Sequence, residues 1–190
     1  TATDEIAKVI QISQDQHLSF YDYDLDPQNP QTIVVLAKMT GLNPGSKSTA
    51  WKSYDEGNTF SQIFDCQDLG HKPNFVRFSP HSSNTIFLGM MGENYVENIS
   101  KGIYRSNDGG QNWIHSLDGC QIDDIEFIPE VSNHIFAVGL DDSWASTVYI
   151  TYDNGDNWDE YNLNVELGDF PSGFKNIAIN PLNYNNVWIT

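Results

Sequence analysis

A chain of 190 residues with 39% hydrophobic and 13% aromatic side chains can bury one good core, which excludes a disordered or fibrous protein. Its 26 acidic residues against 9 basic ones give a formal charge of −17, a field that repels nucleic-acid phosphates and anionic lipid headgroups. No apolar stretch has the length of a membrane span, so neither nucleic acid nor membrane insertion is expected.

In chain order, Thr1-Ala2-Thr3-Asp4-Glu5 lacks the basic start and apolar run of a signal peptide, so a secreted protein would stand here in mature form. Lys8-Val9-Ile10-Gln11-Ile12 predicts a lone strand over 6–13. The stretch 18–66 then predicts four strands. Tyr23 and Leu25 alternate on one buried face of the first, and Asp22, Asp24 and Asp26 between them read as a strand with one wet face. After a turn at Pro27 comes the apolar run Ile33-Val34-Val35-Leu36, as in a strand covered on both sides. A strand around Trp51 follows, then the turn Ser53-Tyr54-Asp55-Glu56-Gly57-Asn58-Thr59-Phe60 and a strand through Phe64.

The same order repeats over 73–119, with Val76/Phe78, Pro80, Ile86-Phe87-Leu88, Ile103-Tyr104 and the turn Ser106-Asn107-Asp108-Gly109-Gly110-Gln111-Asn112-Trp113. It repeats over 122–164, with Ile125/Phe127, Pro129, Ile135-Phe136-Ala137-Val138, Val148-Tyr149 and Thr151-Tyr152-Asp153-Asn154-Gly155-Asp156-Asn157-Trp158. Over 174–190 it begins once more with Ile177/Ile179, Pro181 and Val187-Trp188-Ile189. Each proline stands six residues before a new apolar strand, and proline to turn aspartate spans 28, 28 and 24 residues. A four-stranded unit of about 50 residues without helical patterning predicts an all-β protein of antiparallel β-propeller blades. About three and a half blades are present, so the remaining blades are expected from a longer chain or a second chain.

Each turn reads Ser/Thr-x-Asp-x-Gly-x-x-aromatic. The carboxylate of Asp55, Asp108 or Asp153 can accept amides of its own turn, and Gly57, Gly110 or Gly155 supplies positive φ. The hydroxyl of Ser53, Ser106 or Thr151 closes a second local bond, and Phe60, Trp113 or Trp158 packs under the blade. Equivalent residues recurring in every unit suit structure better than one active site.

The motif resembles the Asp-box, or BNR, repeat of sialidases, xyloglucanase-type glycoside hydrolases, sortilin/Vps10 sorting receptors and a photosystem assembly factor. Gly102 to Gly110 with Trp113, and Ile177-Ala178-Ile179-Asn180-Pro181, look most like the xyloglucanase type. The resemblance implies a secreted or cell-surface protein that recognises or hydrolyses a polysaccharide or other glycan. Its alternative is a non-catalytic propeller whose partner is a protein or peptide. A sialidase would bring three substrate-clamping arginines, whereas the chain offers Arg77 and Arg105, both on predicted strands. The glycine-rich first-blade segment with the xyloglucanase base is missing too, so no catalytic residue carries over.

Ligands of propellers usually meet the face opposite the motif turns. The loops expected there carry Asp22, His71, Asn74, Glu93, Tyr95, Asp123, Asp124, Asp141, Asp142 and Trp144, carboxylates and rings of the kind that hold sugars. The five histidines are scattered, and Cys66 and Cys120 match no zinc spacing, so neither metal nor cofactor is expected. Cys66 and Cys120 occupy matching points of neighbouring blades, with a bridge and two free thiols both open.

Overall fold

Valine, isoleucine and aromatic side chains suit a pleated surface, and the Pro, Gly and Asx positions between them cut the chain into short strands. The computed structural model describes residues 18–42, 45–66, 71–92, 101–163, 174–180, 183–184 and 186–190. Strands β1 (Leu18–Leu25), β2 (Ile33–Leu42), β3 (Gly45–Ser53) and β4 (Ser61–Asp65) form one antiparallel meander, blade one. Blade two is β5 (His71–Ser79), β6 (Ser82–Gly92), β7 (Gly102–Ser106) and β8 (Ile114–Asp118). Blade three is β9 (Gln121–Phe127), β10 (Ile135–Leu140), β11 (Ser146–Thr151) and β12 (Asp159–Asn162). Two strands, β13 (Ile177–Ile179) and β14 (Val187–Ile189), pair beyond it. The expected strand over 6–13 and the marker Pro181 lie outside the described residues.

Side chains alternate between the two faces of each sheet, so each blade feeds two cores. Val34, Leu36, Ala50 and Phe64 meet Val76, Phe78, Ile86 and Leu88 of blade two. Phe75, Phe87 and Ile103 leave blade two on its other face and meet Ile122, Ile125, Ile135 and Ala137. Phe136, Val138 and Val148 then meet Ile177 and Ile179. Burying each such side chain contributes roughly 1.5–3 kcal/mol. Cys66 belongs to the first core and Cys120 to the second; blade two stands between them, and no disulfide joins them.

In β1 no described residue covers the matching face: Tyr23 and Leu25, whose counterparts Val76, Phe78 and Ile125 pack on the preceding blade, are 67% and 45% exposed. On the other face Asp22 and Asp24, half-buried, turn to blade two, and Asp26 is buried. There they meet the open edge of the neighbouring inner strand, whose amides have no ladder partner on that side. Asp22 accepts the Val76 amide at 3.0 Å and pairs with Arg77, and Asp24 accepts the Phe78 amide at 2.8 Å. Asp124 repeats the contact one step on, accepting the Ile177 amide at 3.3 Å. In blade two the polarity is inverted, with Asn74 Nδ2 donating to the Ile122 and Asp123 carbonyls.

The motif turns share one hydrogen-bond set. The Ser53, Ser106 and Thr151 hydroxyls each donate to the turn carboxylate at 2.8 Å and accept the amide of Gly57, Gly110 or Gly155 at 2.8 Å. Amides of Thr59, Asn112 and Asn157 close the carboxylate cage at 2.8–2.9 Å. The glycines sit at φ of 79°, 100° and 85°, where an L side chain is strained. The motif tryptophans reach further than their own blade. Trp113 Nε1 donates to the Ile63 carbonyl of blade one at 2.8 Å, and Trp158 Nε1 to the Ser116 hydroxyl of blade two at 3.1 Å.

A second device joins the turns and lies one residue before each hydroxyl. Buried Lys52 donates to the Gly109 carbonyl of the next turn, and buried Arg105 to the equivalent Asn154 carbonyl and to Asp156. Ile150 occupies the corresponding place in blade three, where the pattern stops.

Candidate functional site

The inner strands begin earlier than apolar alternation suggests, and this relocates several candidates. Asp22 lies in β1, Asn74 in β5, and Asp123 and Asp124 in β9; the backbone of His71 opens β5. The Asp22, Asn74 and Asp124 side chains stitch neighbouring blades together, as above, and Asp123 pairs with Lys175 at 2.8 Å. Burial pushes the Asp24 and Asp124 carboxyls above their ordinary value, against the pull of the amides of Phe78 and Ile177 and of Arg77. Burial also raises Glu126, reinforced by Asp124. Glu93 and Tyr95 lie outside the described residues.

Asp141, Asp142 and Trp144 are brought together at the other end of blade three. The turn from β10 to β11 is shaped by Asp141, whose carboxylate accepts the Ser143 and Ala145 amides at 2.8 and 2.9 Å and a 3.2 Å bond from Asn162 Nδ2. Burial works to raise this carboxyl, but these bonds and the Ser143 hydroxyl outweigh it and hold it below the ordinary range. The turn leaves Trp144 59% exposed at a φ of 65°, a conformation costly for a large residue.

Beside this turn a cavity of about 350 Å³ opens between blades two and three. Blade two supplies Leu117, Asp118 and Gly119 from the connection into blade three. A side chain on Gly119 would begin 3.0 Å from Asp142 Oδ2, so glycine there gives the carboxylate its room. Blade three supplies Asp141, Asp142, Tyr149, Trp158 and Glu160, with Cys120 at the floor. Burial pushes the Cys120 thiol up to about 12 and the Tyr149 phenol higher still above its ordinary value, so both stay protonated at neutral pH.

Among the described residues cations are scarce at this wall. Lys101 Nζ pairs with Asp142 at 3.0 Å and lies 5.9 Å from the centroid of the Trp144 ring. His115 stacks on Tyr104 at 4.3 Å, with its Nδ1 3.6 Å from Asp118. Lys101, Asp118, Tyr149 and Glu160 were not among the residues expected from sequence. Trp158 was expected only as a packing residue, and it does both jobs. The signal for Lys101 was its rarity, a basic residue shortly before a motif strand in a chain with 9 of them. Among the described residues no group of three or more His, Cys, Asp or Glu is placed to hold a metal ion.

No family profile and no curated protein sequence matches the chain. Among solved structures, it is similar to YCF48 from Cyanidioschyzon merolae, with a TM-score of 0.55 and 16% identity over 89% of this chain and 49% of that one. The fold is that of a β-propeller. A xyloglucanase of the GH74 group from Xanthomonas campestris aligns at 12% identity and a TM-score of 0.42, covering 88% of this chain and 34% of the enzyme. Sqt1 from Chaetomium thermophilum aligns at 12% identity and 0.45, covering 86% and 54%. The chain thus spans about half the length of YCF48, and likeness at these identities speaks for fold alone.

Proposed function

We propose that this propeller segment is a binding module without hydrolytic activity, taking a positively charged protein or peptide segment into the cavity between blades two and three. The observation that carries this is the imbalance of the cavity wall. Asp118, Asp141, Asp142 and Glu160 stand there with Tyr149 and Trp158, and Lys101 is the cation beside them. A basic side chain gains both from the carboxylates and from an aromatic face, whereas a neutral sugar can bond to these carboxylates and stack on the rings but leaves the excess negative charge uncompensated.

Hydrolysis of a glycan would instead need one carboxyl kept protonated as acid opposite an ionised partner. In the cavity Asp141 is held ionised by its turn. The carboxyls raised by burial, Asp24, Asp124 and Glu126, belong to the inner strands, and the first two are engaged by amides of the next blade. Kinship with the Asp-box repeats is supported by the thrice-repeated cage of hydroxyl, carboxylate and amide. A secreted or cell-surface location belongs to the same reading, and cell fractionation tests it.

The deciding experiment is calorimetric titration with basic, neutral and acidic peptides, alongside a reducing-end assay on glucans and xyloglucan. Binding of basic peptides that is lost in Glu160→Gln and weakened by salt is the expected result. Release of reducing ends, or binding of a neutral oligosaccharide with none of any peptide, overturns it.

A further inference from the structure

Resting on that reading, we propose that the outer lip of the cavity is a subsite for a single primary ammonium or guanidinium group, and that the protein's own Lys101 occupies it until a ligand displaces it. Two groups form the subsite. The Asp142 carboxylate is 74% exposed and takes the Lys101 ammonium at 3.0 Å. The Trp144 indole stands open to solvent, with the same ammonium 5.9 Å from its centroid, inside the roughly 6 Å range of cation–aromatic attraction.

The surroundings are built to present these two groups. Asp141 ties the turn through two amides, so Trp144 is held outward in a left-handed conformation rather than folded onto the sheet. The open space above Gly119 lets Asp142 approach from blade three. Lys101 comes from blade two, so its ammonium bridges the two blades that line the cavity. The Lys101 side chain is 24% exposed and the Asp142 carboxylate 74%, so solvent reaches the pair from the Asp142 side and keeps it weak, and exchange with an incoming ammonium costs little. Lys101 therefore acts as a tethered competitor that lowers affinity for every ligand offering the same group.

Calorimetry with a lysine-containing hexapeptide, its Nε-acetylated form and a glutamate counterpart tests this on the wild-type chain and on Lys101→Gln. Removing the competitor is expected to tighten binding of the lysine peptide about three- to tenfold. Adding Asp142→Asn or Trp144→Ala to that background is expected to abolish the gain, and acetylation of the peptide to match that loss. Tryptophan fluorescence that is quenched on binding in Lys101→Gln, and not quenched when Trp144→Phe is added to that background, shows that the Trp144 ring is the contact. If the lysine peptide binds but Lys101→Gln leaves its affinity unchanged or weakens it, self-occupancy is refuted and the binding reading stands. If the acetylated peptide binds as well as the free amine, the ammonium subsite is refuted. If no peptide binds either form, both this inference and the proposed function fall.

Discussion

Ser106→Ala removes one oxygen from a buried place in the second motif turn, and the structure fixes what is lost. Ser106 is 1% exposed; its hydroxyl accepts the Gly110 amide at 2.8 Å and the Asp108 amide at 3.3 Å, and donates to the Asp108 carboxylate at 2.8 Å. The carboxylate keeps the amides of Gln111 and Asn112 and the Asn112 side chain, so its loss is small. Among the described residues the Gly110 amide meets no second acceptor, and a buried donor left without one costs about 1–3 kcal/mol. For a chain of this length about 2–4 °C of Tm accompanies each kcal/mol, so Tm is expected to fall by about 2–12 °C. Thr151→Val, the same deletion with the shape kept, should fall in the same range, since Gly155 stands in the same relation to it. Exposed Ser19→Ala should stay within about 0.5 kcal/mol. Thermal melts by circular dichroism read the stability, and amide exchange at Gly110 reads the bond itself. Wild-type Tm together with undiminished protection of Gly110 in Ser106→Ala would refute the idea that the hydroxyl closes the turn.

The three turn carboxylates give a pH dependence. Amide and side-chain bonds hold Asp55, Asp108 and Asp153 at about 2, below the ordinary 3.8, so their contribution is complete above 3.8 and drains as pH falls towards 2. Melts between pH 5 and pH 2 should show Tm falling over that window, and a flat profile there contradicts the cage. Asp24 and Asp124 carry the opposite sign, because their raised carboxyls favour the folded state at low pH and lose that favour as pH rises through the folded value. In the core, Phe87→Ala should cost about 3–5 kcal/mol in urea unfolding. Gly139→Ala should be severe despite its small volume, since its Cβ would lie 1.9 Å from the Gln121 carbonyl oxygen. Arg105→Met should cost about 1.5–3 kcal/mol through the charged bonds to the next turn, a loss that Lys in its place recovers only in part.

Much of the fold was legible because its signals are local. The hydroxyl, aspartate and glycine of each turn bond to one another within four residues, so their spacing is their geometry. The apolar runs at Ile33, Ile86 and Ile135 are covered on both faces and read as central strands for that reason. The inner strands resisted reading because their polar residues answer to the next blade. Asp22 and Asp124 look like loop residues until the unpaired amides of Val76 and Ile177, more than fifty residues on, are seen to face them. The cavity was half legible. Asp141, Asp142 and Trp144 sit in one polar turn, but Asp118 and Lys101 join them only through the stacking of blade two on blade three.

The two ends of the blades divide the work between them. At the motif end nearly every polar group is spent inward: hydroxyls on glycine amides, tryptophan on the preceding blade, Lys52 and Arg105 on the following turn. Such groups set the angle between sheets and have little left to offer a ligand. At the opposite end Asp142 and Trp144 are turned to solvent, and the Asp141 turn accepts a left-handed tryptophan to keep them there. A conformation of that cost persists only where surrounding bonds over-determine it. That asymmetry, local satisfaction at one end and maintained exposure at the other, is the physical reason to look for the partner at the seam of blades two and three.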